Sequence, residues 1–170
     1  MDIAGFKEHV IPLKHRIYRL AWSMLGDPSE AQDAVQEVLI RLWDKRNSLE
    51  QVRNMEAFAV TITKNHCTDR LRKIRAVPLE HDEQRVSNHP DPEERMEASD
   101  SAQLIYQLMQ QLPQQQRLVM HLRDIEQLDY TEIESCTGMN NEAIRTNLSR
   151  ARKKIRTLFT EINAYGLEKR

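Results

Sequence analysis

One stretch constrains the fold more than any other: Asp129-Tyr130-Thr131-Glu132-Ile133, leading through Gly138 into a basic segment from Asn140 to Phe159. It reads as two helices joined by a tight turn, a helix-turn-helix. Gly138 supplies the permissive backbone such a turn needs, and either Asn140 or Asn141 can cap the second helix. Ile144, Leu148, Ala151, Ile155 and Leu158 then recur at helical spacing on one face. At about 100° per residue, the opposite face carries Arg145, Thr146, Ser149, Arg150, Lys153 and Arg156. A helix of this kind docks on a core through one side and offers cations through the other, as a DNA major groove requires.

With 170 residues the chain has room for two small domains, each with a modest core. Aromatics make up 5% of it and only 4 glycines occur, which suits short helices better than sheets, so the expected class is all-α. No apolar run is long enough to cross a bilayer, and Ile3 to Val10 is broken by Lys7, Glu8 and His9, which argues against a secretory signal; a cytoplasmic protein is expected. Cys67 and Cys136 stand at no metal-ligand spacing and are read as reduced core thiols.

The net charge is −1, yet the charge is segregated. Lys64, Arg70, Arg72, Lys73 and Arg75 form one basic cluster, and Arg145, Arg150, Arg152, Lys153, Lys154 and Arg156 a second. Between them, Pro78 to Asp100 combines three prolines with eight acidic residues, Glu80 and Asp100 among them, and has little to bury. It reads as a solvated, mobile linker. The organisation expected is an N-terminal helical domain over 1–76, a linker over 77–99 and a helix-turn-helix domain over 100–170. Two basic helices, each ending a domain, point to nucleic acid.

In the first domain, Asp27-Pro28-Ser29-Glu30 is a helix start with a cap, a proline at the first helical position and a glutamate three residues after the cap. That helix is expected to reach about Lys45 and to bury Ala31, Val35, Val38, Leu39 and Leu42. Asp33, Glu37, Ile40 and Asp44 then share the far side, an isoleucine among acids. A second helix, about Met55 to Arg75, keeps Cys67, Leu71 and Ile74 on its apolar side in its second half. Asn65, Asp69, Arg72 and Lys73 line up opposite, where amide and carboxylate can address base edges and cations can hold phosphates.

These residues resemble those of the extracytoplasmic-function group of bacterial sigma factors, the dissociable promoter-specificity subunits of RNA polymerase. The run Gly26 to Val38 through Arg41-Leu42-Trp43 is similar to the family's core-binding segment. Phe58 through Lys64-Asn65 to Asp69-Arg70-Leu71-Arg72 is similar to its −10 reading helix. Leu112-Pro113, Arg117 to Val119, Leu122-Arg123, Tyr130 through Ile133, Ile144-Arg145 and Leu148 to Lys154 resemble its −35 domain.

The resemblance implies roles. The face with Asp33, Gln36, Glu37 and Ile40 would dock on the clamp helices of the largest polymerase subunit. Asn65, with Asp69 one turn on and Arg72 and Lys73 beside them, would capture an unstacked base of the melted non-template strand. Arg145, Thr146, Asn147, Ser149, Arg150, Lys153 and Lys154 would meet the −35 element as duplex. The linker would thread toward the active-site and RNA-exit region, and an anti-sigma factor would hold the protein inactive. Asn147 stands where the family often has Arg, and Leu39 where it often has Phe. Asn favours adenine and Arg favours guanine or phosphate, so the first departure would shift base preference.

The competing reading is a stand-alone helix-turn-helix regulator of duplex DNA. It would need a dimer to match a two-fold operator, and no heptad or extra apolar helix provides one. An adaptor without promoter reading is disfavoured by the basic faces on both domains. An enzyme is disfavoured too: the six histidines are scattered, and no glycine-rich phosphate loop or Ser/His/Asp constellation occurs. No catalytic residue, metal or cofactor is expected, since adjacent His66 and Cys67 point in different directions on a helix and lack further ligands.

Overall fold

Local capping sets most of the helix starts. In the computed structural model, which describes residues 1–76 and 100–168, the Glu30 N–H donates to Asp27 Oδ1 at 2.9 Å, and Pro28 opens the helix behind that cap. Asn54 caps a second helix by accepting from the Ala57 N–H at 2.9 Å. Asp129 and Glu132 form a reciprocal capping box, at 2.8 and 2.9 Å, and Asn140 accepts from the Ala143 N–H at 2.8 Å. Of the two asparagines that could cap the last helix, Asn140 is therefore the cap.

The chain divides into two compact units, Met1–Glu94 and Arg95–Arg170. The first holds α1 (Ile3–His9), α2 (Lys14–Leu25), α3 (Pro28–Asp44) and α4 (Met55–Ala76), with short 3₁₀ turns at Ile11–Leu13 and Leu49–Gln51. Helices α2, α3 and α4 pack on one another around Ile17, Leu20, Ala21, Val35, Val38, Leu42, Ala59 and Val60, all buried. Each fully buried aliphatic side chain contributes about 1.5–3 kcal/mol of transfer free energy. Phe6 meets Trp43 edge-on with ring centroids 5.0 Å apart, which fastens α1 to the end of α3. Gly26 ends α2 at φ 73°, a left-handed cap that lets the chain reverse at once into α3.

The second unit holds α5 (Asp100–Met109), α6 (Gln114–Met120), a π-helical turn (His121–Ile125), α7 (Tyr130–Thr137) and α8 (Asn141–Glu168). Leu108, Met109, Leu112, Val119, Leu122, Leu128, Ile133, Ile144, Leu148 and Ala151 make its core. The π-helical turn carries a buried pair, His121 Nε2 and Glu126 Oε1 at 3.3 Å. Gly138, at φ 74°, joins α7 to α8. No strand occurs among the described residues.

Three expectations need correction. The apolar stripe of α4 does not persist: Cys67 is fully buried, Leu71 half-buried, and Ile74 is 41% exposed. Arg70 is ion-paired with Glu30 on the first turn of α3, so residues beyond it run past the end of the packed helices. Likewise α8 does not stop at Phe159 but continues to Glu168, with Phe159, Ile162 and Tyr165 exposed. Leu39, expected in the buried stripe of α3, is half-buried against the core of the first unit. The acidic linker over 77–99 lies outside the described residues.

Candidate nucleic-acid and protein interfaces

On α8, burial of Ile144, Leu148 and Ala151 fixes the rotation of the helix. Arg145, Thr146, Ser149, Arg150, Lys153 and Lys154 are all exposed as a result, one surface at the end of the helix-turn-helix. Asn147 differs: it is half-buried, and its Nδ2 donates to the Ala143 carbonyl at 2.9 Å, so its amide is turned onto its own helix. Arg145 is held on two sides. Its Nε donates to Asn141 Oδ1 at 2.6 Å, and its guanidinium carbon lies 4.6 Å from the centroid of the Tyr130 ring. Arg152, part of the basic run, is engaged elsewhere, in a two-point pair with Asp124 at 3.0 and 2.5 Å.

On α4, Asn65, Asp69, Arg72 and Lys73 are exposed together. Asp69 and Arg72 approach to 3.8 Å, a loose pair one turn apart. Arg70 leaves this surface to join Glu30 by Nε and Oε2, and that hydrogen bond is the main influence raising its pKa. Behind the face lie His66 and Cys67, both buried. Burial, followed by the nearby Arg41 charge, lowers the His66 pKa, and burial pushes the Cys67 thiol up to about 12. A thiol in that state is a packing group rather than a nucleophile or ligand. Among the described residues no cluster of His, Cys, Asp and Glu is placed to hold a metal ion.

On α3, Asp33, Gln36, Glu37 and Ile40 are exposed, and Ile40 retains 55% of its surface. Ala34, Val35 and Val38 are buried on the other side, so the exposure of Ile40 follows from helix rotation, not from fraying. Sequence reading missed Tyr130, Asn141, Arg123 and Asp124 as parts of the α8 surface. The Asn141–Arg145 pair stands at i,i+4 and was open to discovery from spacing alone. The contact of Tyr130 with Arg145 arises only when the turn brings α7 and α8 together, and that with Arg123 when the chain folds from the π-helical turn into α7.

Residues 10–77 match the family model for sigma-70 region 2, and residues 102–155 that for sigma-70 region 4. The chain belongs to the extracytoplasmic-function sigma factors. It is 27% identical over 172 residues to the RNA polymerase sigma-E factor of Streptomyces coelicolor, covering 99% of this chain and 94% of that protein. It is 31% identical over 145 residues to the ECF RNA polymerase sigma factor SigE of Mycolicibacterium smegmatis, 83% of this chain and 56% of that protein. SigW of Bacillus subtilis matches at 27% over 95% of this chain and 92% of its own length. Among solved structures, the sigma factor RpoE of Bartonella quintana, in complex with the anti-sigma factor NepR, shares the fold at a TM-score of 0.76 and 24% identity, with 93% of this chain and 98% of that one covered.

As a sigma factor, the protein works with RNA polymerase core on promoter DNA. In this sigma factor region 2 spans α2, α3 and α4, and region 4 contains the helix-turn-helix. No described helix is long and apolar enough to cross a membrane.

Proposed function

We propose that this sigma factor divides promoter recognition between its two basic helices, with α8 reading the −35 element as duplex and α4 holding the melted −10 element. On α8, Arg145, Thr146, Ser149, Arg150, Lys153 and Lys154 carry the duplex contact, and Asn147 joins them by giving up its bond to the Ala143 carbonyl. On α4, Asn65 and Asp69 receive an unstacked base of the non-template strand while Arg72 and Lys73 hold its phosphates. The exposed acids around Ile40 on α3, with Asp33, Gln36 and Glu37, dock on the clamp helices of the largest polymerase subunit.

The observation that carries this reading is the difference in charge between the two exposed helical faces, each rotated outward by its own buried stripe. Every charged residue of the α8 set is a cation, interleaved with hydroxyl and amide side chains, which suits contact with phosphates along a groove. The α4 face mixes an amide, a carboxylate and two cations, which suits a base edge flanked by backbone. Extruding a base costs a few kcal/mol, and a receptor for it favours the melted state as well as reading sequence. The NepR complex of the Bartonella relative supports an anti-sigma partner here also. The sigma factor acts in the cytoplasm, domains 1–76 and 100–170 being joined through the acidic stretch 77–99, with no cofactor and no chemistry of its own.

The test is transcription by purified bacterial core polymerase on fragmented genomic DNA, with and without the sigma factor. Discrete new transcripts from a shared two-part sequence are expected. Ile40→Asp is expected to abolish association with core while leaving isolated duplex binding unchanged. DNA binding without core association or altered start sites would replace this reading with a stand-alone regulator.

A further inference from the structure

We infer that Tyr130 is a specificity-determining positioning residue: with Asn141 it holds the Arg145 guanidinium in one orientation before DNA arrives, and so sets how sharply Arg145 discriminates its base. The inference rests on the assignment of Arg145 to the −35 duplex. It goes beyond that assignment in naming two residues that act through Arg145.

Arg145 is exposed, and a free surface arginine samples many rotamers. Here two independent contacts restrict it. The Tyr130 ring faces its guanidinium carbon at 4.6 Å, within the range of a cation–π contact, and Asn141 Oδ1 accepts from Nε at 2.6 Å. With Nε engaged by Asn141, the two terminal nitrogens of the fork make no other hydrogen bond among the described residues. These are the donors a two-point contact with a guanine edge requires. Tyr130 itself is anchored. It is half-buried at the first position of α7, directly behind the Asp129–Glu132 capping box. A second guanidinium, that of Arg123, lies 4.9 Å from the same ring centroid and donates from Nη1 to the Leu128 carbonyl at 2.8 Å. The ring is thus braced from the preceding turn while it presents itself to α8.

Arg150 lies outside this arrangement. No hydrogen bond or ion pair reaches it among the described residues, so the two arginines of one surface differ in preparation. A prepared arginine loses less conformational freedom on forming its base contact. A two-point contact also penalises the wrong base only when both donors are aimed.

The experiment measures base preference at every position of a randomised −35 element, using the full-length sigma factor with core polymerase. Arg145→Ala identifies the base pair that Arg145 reads. Tyr130→Leu is expected to reduce preference at that base pair alone, by about two- to five-fold, the size of an exposed cation–π contact. Tyr130→Phe keeps the ring and is expected to retain the preference. The double variant Tyr130→Leu with Arg145→Ala is expected to match Arg145→Ala, because Tyr130 acts through Arg145. Asn141→Ala, which leaves the Asn140 cap in place, supplies a second test by the same comparison should Tyr130→Leu fold poorly. Equal loss at all positions, or additive losses in the double variant, would mark Tyr130 as merely structural and overturn the inference. An Arg145→Ala profile identical to wild type would remove the −35 assignment of Arg145, and the inference with it.

Discussion

The two basic helices look alike as sequence and differ as surfaces. Helix α8 presents Arg145, Arg150, Lys153 and Lys154 with no carboxylate among them, and Arg145 is already oriented. Helix α4 presents Arg72 and Lys73 beside Asn65 and Asp69, with Asp69 partly offsetting Arg72. In each helix one arginine has been diverted into the fold: Arg152 to Asp124, and Arg70 to Glu30. Cation counts therefore overstate the charge offered to DNA. The difference that remains separates a surface suited to backbone phosphates from one suited to an individual base.

The comparison breaks most visibly at the level of the units themselves. Ile133→Ala empties a fully buried site in the second unit and is expected to cost about 2–5 kcal/mol. Calorimetry should show the transition of that unit falling while that of the unit containing α2, α3 and α4 stays in place. A common shift of all transitions would show that the two surfaces are carried by one cooperative body.

Next in size are the surface residues. Arg145→Ala is expected to weaken binding to −35 duplex by about 1–3 kcal/mol, the worth of one good base contact. Asn65→Ala should leave duplex binding alone and reduce open-complex formation on a linear promoter, with a smaller deficit on a template carrying a pre-melted −10 bubble. Lys153→Gln should lower the salt slope of duplex binding by about 0.9, against ~0.7 for Lys73→Gln measured on the single strand. Equal effects of Asn65→Ala and Arg145→Ala on duplex binding would erase the division of labour.

Much of this architecture was legible from short-range pattern. The caps at Asp27 and Asp129 and the turn at Gly138 involve residues within four positions of one another, and spacing alone reveals them. The outward rotation of Asn65, Asp69 and Ile40 followed from helical period. Periodicity could not show where packing ends, and so Ile74 and Phe159 continue apolar stripes beyond the elements that would cover them. Nor could it show the long-range pairs. Arg70 and Glu30 are 40 residues apart and Arg152 and Asp124 are 28 apart, so which cations remain available to DNA depends on tertiary contacts.

Gly138 gives a sharper test of how α8 is aimed. A Cβ added there meets nothing within 4 Å, so space does not require the glycine; its φ of 74° does. Gly138→Ala is expected to destabilise the second unit by about 1–2 kcal/mol through left-handed backbone strain. Gly138→Asn should cost less, because asparagine tolerates that region. Equal melting temperatures for Ala and Asn would mean that the turn had changed conformation, and the −35 affinity of both variants should then fall together.

The smallest expected effect lies within α4, in the first unit. His66 is buried with its pKa lowered from the ordinary value of 6.5, by burial first and by Arg41 next. The unfolded chain therefore binds a proton more readily than the folded one. Stability from this source is complete above about pH 6.5 and is lost as pH falls from there toward the lower folded value. Melting followed between pH 7.5 and 5.5 should show the first unit losing stability on acidification, and His66→Gln should flatten that dependence. Arg41→Gln removes a cation that disfavours the imidazolium, so it should raise the folded pKa: the loss begins at the same pH but ends sooner on acidification and is smaller in total. If His66→Gln left the slope of the first unit unchanged, His66 would not be the source of its acid sensitivity.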